Sequence, residues 1–271
     1  MPKRFIRGRW LDYRLLGTLD GGLPPIVLLH HGFGHADCWG RFPQRLHAAT
    51  GRPVLSYSRQ DCGRSDASEG PRRPDFLERE AEDILPALLA SLGTRRACLF
   101  GHSDGASIAL IAAARCPELV ELVVAEAPHV FVEPVTLDGV RAMTARFDGD
   151  ETFRRHAMKG HDDGVRAFRL WSEIWSSPEF AQWSMVDELA AMRVPALLLQ
   201  GDADPFGSCV HVECIRDASR GPVDLRMIEG AGHAPHRTAD LIPSWVGAAL
   251  ALQQKNRREP ALGPAEQGGP S

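Results

Sequence analysis

The sequence predicts an α/β fold with a mostly parallel central sheet, helices on both faces and a helical cap inserted after the strand ending near Ala125. Three observations carry this expectation. Short apolar runs without polar alternation recur along the chain, as in strands buried on both faces. Helix-like segments separate those runs, the pattern of a parallel sheet. Between Pro128 and Arg193, about 65 residues hold no strand-like run, too many for a structureless loop.

Taken in order, 5–16 supplies an antiparallel lead-in pair, and 26–30 is the first core strand, ending in the glycine-rich loop His30-His31-Gly32-Phe33-Gly34. A helix over 39–50 precedes a strand over 54–58. The segment 76–92 reads as a helix that Pro86 should kink, because proline lacks the N–H and crowds the preceding turn. Strands over 97–100, 119–125, 196–200 and 223–228 complete the sheet, with a helix over 106–115 after the third. The inserted region reads as helices over 137–147, 151–159 and 163–175. Residues 1–127 and 194–252 are thus expected to form the core and 128–193 the cap. Residues 253–271, rich in Pro, Gly, Glu and Gln, are expected to be a disordered tail.

Composition narrows the function. Hydrophobic residues make up 44% of the 271, enough for a normal core, and the net charge of -4 gives no reason to expect nucleic acid. No window of about 18 apolar residues suggests a membrane span. Met1-Pro2-Lys3-Arg4-Phe5 runs into charged residues without the apolar stretch of a signal peptide, so the expected location is the cytoplasm. The six cysteines form no Cys-x-x-Cys pair, which suggests neither a zinc knuckle nor a redox motif, and in a cytoplasmic context disulfides are not expected.

Gly101-His102-Ser103-Asp104-Gly105 lies between the third core run and its helix. A serine on a sharp strand-to-helix turn has its hydroxyl pushed out of the sheet, where a base and a carbonyl can both reach it. Asp204 follows the next-to-last run and His233 the last, so Ser, Asp and His each sit at the carboxyl end of a strand, where such sheets gather function. The residue types fit nucleophilic catalysis. A serine hydroxyl needs a base, an imidazole serves near neutral pH, and a carboxylate fixes its tautomer. Glu126, ending the fourth core run, is the alternative acid; Asp202 reads as a loop carboxylate making local backbone bonds. His236 is the nearest rival to His233 and is expected to be exposed or to line the pocket. The oxyanion donors are expected to be the N–H of Asp104 and that of Phe33 or Gly32. As an exposed carboxylate at a helix start, Asp104 would add ~0.3–1 kcal/mol of stability. His129, Phe131, Trp171 and Trp175 are candidate substrate contacts. Phe168, Trp171 and Trp175 form one helical stripe that glues the cap to the body, roofs the pocket, or both. His30 and His31 have no third ligand at metal-binding spacing, so no metal is expected.

Over about residues 10–252 the chain resembles the α/β-hydrolase superfamily, in which Ser, Asp and His occur in this order. The narrower resemblance is to a bacterial serine esterase-like group with a Gly-His-Ser-Asp-Gly elbow. It extends over Tyr57-Ser58-Arg59, Gly63-Arg64-Ser65-Asp66, the segment 126–133 and the cap pattern from Phe168 to Phe180. Two loops depart from that group: His30-His31-Gly32-Phe33-Gly34 stands where His-Glu-Gly-Leu-Gly is common, and Gly201-Asp202-Ala203-Asp204-Pro205-Phe206-Gly207 where Gly-Glu-Asp-Asp-x-Tyr-Gly is common. Both bear on the pocket rather than the triad. The resemblance implies a cofactor-free serine hydrolase that cleaves a small-molecule carboxylic ester or lactone through an acyl-enzyme, with macrolide (macrolactone) esters among the candidates. Carbon–carbon bond hydrolysis and cofactor-free perhydrolysis on the same triad are the alternatives within the fold. A non-catalytic ligand-binding protein is the alternative of another class. Oligomeric state is not legible.

Overall fold

The computed structural model describes residues 2–258. Eight strands form one sheet: β1 (Lys3–Ile6), β2 (Arg9–Leu16), β3 (Ile26–Leu29), β4 (Val54–Tyr57), β5 (Ala97–His102), β6 (Val120–Glu126), β7 (Ala196–Gly201) and β8 (Val223–Ile228), in the order β1-β2-β4-β3-β5-β6-β7-β8. β1 and β2 pair antiparallel and β2 pairs antiparallel with β4; every pairing from β4 to β8 is parallel.

The period of two divides each central strand between two cores. Val27, Leu29 and Leu99 face one, where α4 (Asp104–Arg115) packs; Ile26, Leu28, Cys98 and Phe100 face the other, against α1 (Phe42–Thr50) and α10 (Ile242–Arg258). Because both faces are covered, the strands read as unbroken apolar runs. α4 is thin on the sheet side, with Ala106, Ala109, Ala112 and Ala113 all buried.

The helix expected over 76–92 is three pieces: α2 (Phe76–Arg79), a π turn (Glu80–Ile84) and α3 (Leu85–Ser91). Pro86 sits just after the π turn, where its missing N–H forces a change of hydrogen-bond register. Between β6 and β7 lie α5 (Pro134–Gly149), α6 (Glu151–Met158), α7 (Gly164–Trp175) and the short α8 (Val186–Leu189); Asp150 and Asp163 cap α6 and α7 by side-chain bonds to Phe153 N and Arg166 N. α9 (Val210–Ala218) and α10 carry no expectation from the sequence. α10 also corrects the tail: it continues to Arg258, because Val246 and Leu250 anchor it to the second core. Residues 259–271 of the expected tail lie outside the described residues. Among the described residues no helix is long and apolar enough to cross a membrane.

One buried ion pair braces the end of the sheet away from the loops after β5 and β7. Arg52 Nη1 lies 2.7 Å from Glu121 Oε2, and Nη1 also donates to the Pro24 carbonyl at 3.1 Å. Both side chains are almost wholly buried, at 2% and 3% exposure. Removing one partner strands the other charge in a low-dielectric site, so Glu121→Ala should lower the unfolding free energy by ~3–5 kcal/mol. Urea denaturation checks this; a loss below ~1 kcal/mol would make the pair no better than an exposed one.

Candidate active site

The elbow is built by steric necessity. Ser103 has φ 56° and ψ -122°, a backbone conformation rarely taken by residues with a side chain. Its N–H donates to the Glu126 carbonyl at 2.9 Å, and its own carbonyl accepts from Ala106 N at 2.8 Å. A Cβ on Gly101 would lie 2.1 Å from the Gly105 carbonyl oxygen, and one on Gly105 would lie 1.9 Å from that of Leu29. Both flanking glycines are therefore required for β5, β3 and α4 to meet this closely.

His233 and Asp204 come together from the loops after β8 and β7. His233 Nδ1 lies 2.8 Å from Asp204 Oδ2 and 2.9 Å from Oδ1. The loops can touch because Gly201 has no side chain: a Cβ there would lie 2.2 Å from the Ala231 carbonyl oxygen. Asp202 Oδ1 accepts from Gly230 N at 2.7 Å, a local backbone bond joining the same two loops. Burial pushes the Asp204 carboxyl up. Hydrogen bonding and charge from His233, with donors from Phe206 N and Gln200, outweigh burial and hold it below its ordinary value. With Nδ1 on the carboxylate, Nε2 is the imidazole nitrogen left for other chemistry.

Glu126 is elsewhere. Its carboxylate accepts from His236 N at 2.6 Å and lies 2.5 Å from His236 Nδ1, so it is not the partner of His233. His236 is buried rather than exposed or pocket-lining, as this pairing demands. His102 Nε2 lies 2.7 Å from the His233 carbonyl oxygen, linking the elbow to the histidine loop. His102, Glu126 and His236 place a ligand atom each within 4.8 Å of one another, so they are the described residues best placed for a metal. The hydrogen bonds just given already use both oxygens of Glu126.

Ser103 and His233 face one cavity of about 190 Å³. Gly32, Phe33, Asp104, His129, Trp171 and Trp175 line it too. Phe131 does not: it forms a β-bridge with Ser184 and its ring packs on His211 at 4.4 Å, which turns it away. Asp104 corrects a second expectation. It is fully buried because Trp175 covers it, its indole N–H donating to Oδ1 at 3.1 Å. Burial pushes the Asp104 carboxyl up, against the pull of Arg59 and Arg72. The N–H groups of Phe33 and Asp104 take no hydrogen-bond partner among the described residues. The loop bearing Phe33 is pinned by Arg59, which donates to the carbonyls of His30 and His31 at 2.5 and 2.9 Å. Gly32 lies against Trp171, where a Cβ would fall 1.9 Å from the ring.

Sequence reasoning missed several walls of the cavity. Thr136, Val140 and Met143 of α5 line it, as do Phe206 and Arg237. The α5 residues have an i, i+4, i+7 spacing that marks one helical face, a signal present in the sequence. Burial, with His211 and His233 nearby, pushes the His129 imidazole down to about 3, and burial likewise holds His31 and His102 well below the ordinary value. These three rings are therefore neutral walls near neutral pH.

Residues 26–242 match the profile described as "Alpha/beta hydrolase family". The chain is 34% identical over 208 residues to sn-1-specific diacylglycerol lipase ABHD11 of Mus musculus, covering 72% of this chain and 66% of that protein, just under two thirds of its length. It is 27% identical to N-formylmaleamate deformylase of Pseudomonas putida, over 84% of this chain and 86% of that one. Among solved structures it superposes on the enol-lactonase from Burkholderia xenovorans LB400 with a TM-score of 0.71 at 21% identity, covering 92% of this chain and all (100%) of that one.

Proposed function

This chain belongs to the alpha/beta hydrolase family, and on that premise we propose that it is a serine hydrolase of small carboxylic esters or lactones. The observation that carries the reading is the shared cavity: the elbow hydroxyl of Ser103 faces the same space as the imidazole that Asp204 holds. The relatives named above include a lipase and a deformylase, and a lactonase shares the fold.

In this reading Ser103 Oγ attacks the substrate carbonyl while His233 Nε2 takes its proton. The Phe33 and Asp104 N–H groups hold the oxyanion, each worth ~3–4 kcal/mol in the transition state. His233 then returns the proton to the leaving alkoxide, which departs as the alcohol. Water adds to the acyl-enzyme with His233 again as base, and the carboxylic acid leaves as Ser103 recovers its proton. No hydrogen bond joins Ser103 Oγ to His233 among the described residues. Such contacts commonly tighten only when substrate is bound.

Size sets the substrate class. The cavity of about 190 Å³ lies below the ~300–1,000 Å³ typical of drug-sized sites. We therefore read the substrate as a short acyl ester or small lactone ring rather than a macrolactone. The helices between β6 and β7 act as the cap, with Trp171 and Trp175 as its ceiling. A series of p-nitrophenyl esters tests this. Wild type should prefer short acyl chains by ~10-fold or more in kcat/KM, and Trp171→Ala should move the preference toward longer ones. Equal rates across the series in wild type would remove the size argument.

A further inference from the structure

We propose that a second cleft, sharing no lining residue with the Ser103 cavity, is a binding site for a small molecule bearing a diphosphate. The cleft holds about 480 Å³ and lies between the β1–β2 turn, the 59–73 loop and the segment 76–84. Six arginines line it: Arg7, Arg9, Arg59, Arg72, Arg73 and Arg79. The chain as a whole carries a net charge of -4, so this concentration runs against its overall sign.

The acids in and around the cleft offset these charges only in part. Asp61 is held by Arg166, outside the cleft, at 2.9 Å. Glu80 is buried, accepts from the Tyr57 hydroxyl at 2.7 Å and faces the charges of Arg59, Arg9 and Arg72. Only Asp83 is an exposed carboxylate on the lining. Arg59 lies 3.9 Å from Asp104 and Arg73 pairs with Asp75, whereas Arg7, Arg9, Arg72 and Arg79 form no ion pair among the described residues. Gathering like charges around a concave surface raises their mutual repulsion, which an anion relieves.

The arginines come from three separate segments around a cleft of about 480 Å³, room for two linked phosphates and the organic part they carry. Guanidinium forks match phosphate oxygens two at a time. Pro71, Phe76 and Ile84 give the cleft an apolar side for the organic part, with the Arg72 guanidinium 5.1 Å from the Phe76 ring centre.

Arg59 and Arg72 also bond the carbonyls of the 30–32 loop, so they are unsuited to a clean test. Arg7 and Arg79 are exposed and free of such duties. Titration calorimetry of the full chain with pyrophosphate at low ionic strength should give one-to-one binding. The Arg7→Gln/Arg79→Gln variant should weaken it at least ~10-fold, and each single variant should weaken it less. Arg226→Gln, a change on β8 that does not line the cleft, should leave it unaltered. Citrate, a carboxylate polyanion, should bind at least ~10-fold more weakly than pyrophosphate. Absence of pyrophosphate binding at millimolar concentration, or affinity unchanged in the double variant with its melting temperature intact, would overturn the site. Citrate binding as tightly would overturn the phosphate assignment. The readout is binding rather than turnover, so it is independent of the acyl-transfer reading.

Discussion

Ser103→Ala should lower kcat/KM for a short ester by ~10⁴–10⁶-fold, equivalent to ~5–8 kcal/mol of transition-state stabilisation, while the protein stays folded. The magnitude follows from what remains. Without the hydroxyl no acyl-enzyme forms, and only the oxyanion donors and the walls of the cavity act on substrate. The fold survives because the elbow is held by backbone. The Ser103 N–H bond to Glu126 and the Gly101–Gly105 contact do not involve Oγ. Steady-state kinetics with a chromogenic ester, alongside circular dichroism, check both halves. Residual activity within ~10-fold of wild type would remove Ser103 from the mechanism.

The second large effect separates the two acids. Asp204→Asn should lower kcat by about 10⁴-fold, because an amide at this position favours the wrong tautomer of His233 and does not stabilise its cation. Glu126→Gln should lower kcat by less than ~10-fold in protein that remains folded, since Glu126 bonds His236 and touches His233 only through neighbours. Comparable losses in kcat at intact fold would overturn the assignment of Asp204. Its carboxyl is held below its ordinary value in the folded state. Its stabilising contribution is therefore complete above the unfolded-state value and is lost only as the pH falls through the lower folded one. Asp204→Asn should accordingly reduce the pH dependence of stability in that acid window, as pH-dependent thermal melts would show.

The parts of the site fixed by local chain sterics are legible in the amino-acid sequence. Gly101, Ser103 and Gly105 specify the elbow within five residues, and the parallel sheet puts the loops bearing Asp204 and His233 at the same edge. The choice between Asp204 and Glu126 is not legible there. Glu126 ends one core strand and Asp204 follows the next, and the close approach of Gly201 to the Ala231 carbonyl brings the Asp204 loop to His233. Asp104 reads as exposed because helix starts usually are, and Trp175, 71 residues further on, buries it. Phe131 reads as a pocket wall from its place after β6, but its bridge to Ser184 points it at His211. Pocket walls depend on how helices dock, which spacing along one helix does not reveal.

The central claim is that Ser103 is a nucleophile activated by the pair His233–Asp204. Mass analysis of the folded protein after reaction with a fluorophosphonate tests it most directly. The expected result is a single phosphonyl adduct on the peptide bearing Ser103, absent after Ser103→Ala and sharply slowed by Asp204→Asn. No adduct on the folded wild type, or one carried by another residue, would contradict the claim and favour a hydrolase-fold protein that binds its ligand without turning it over.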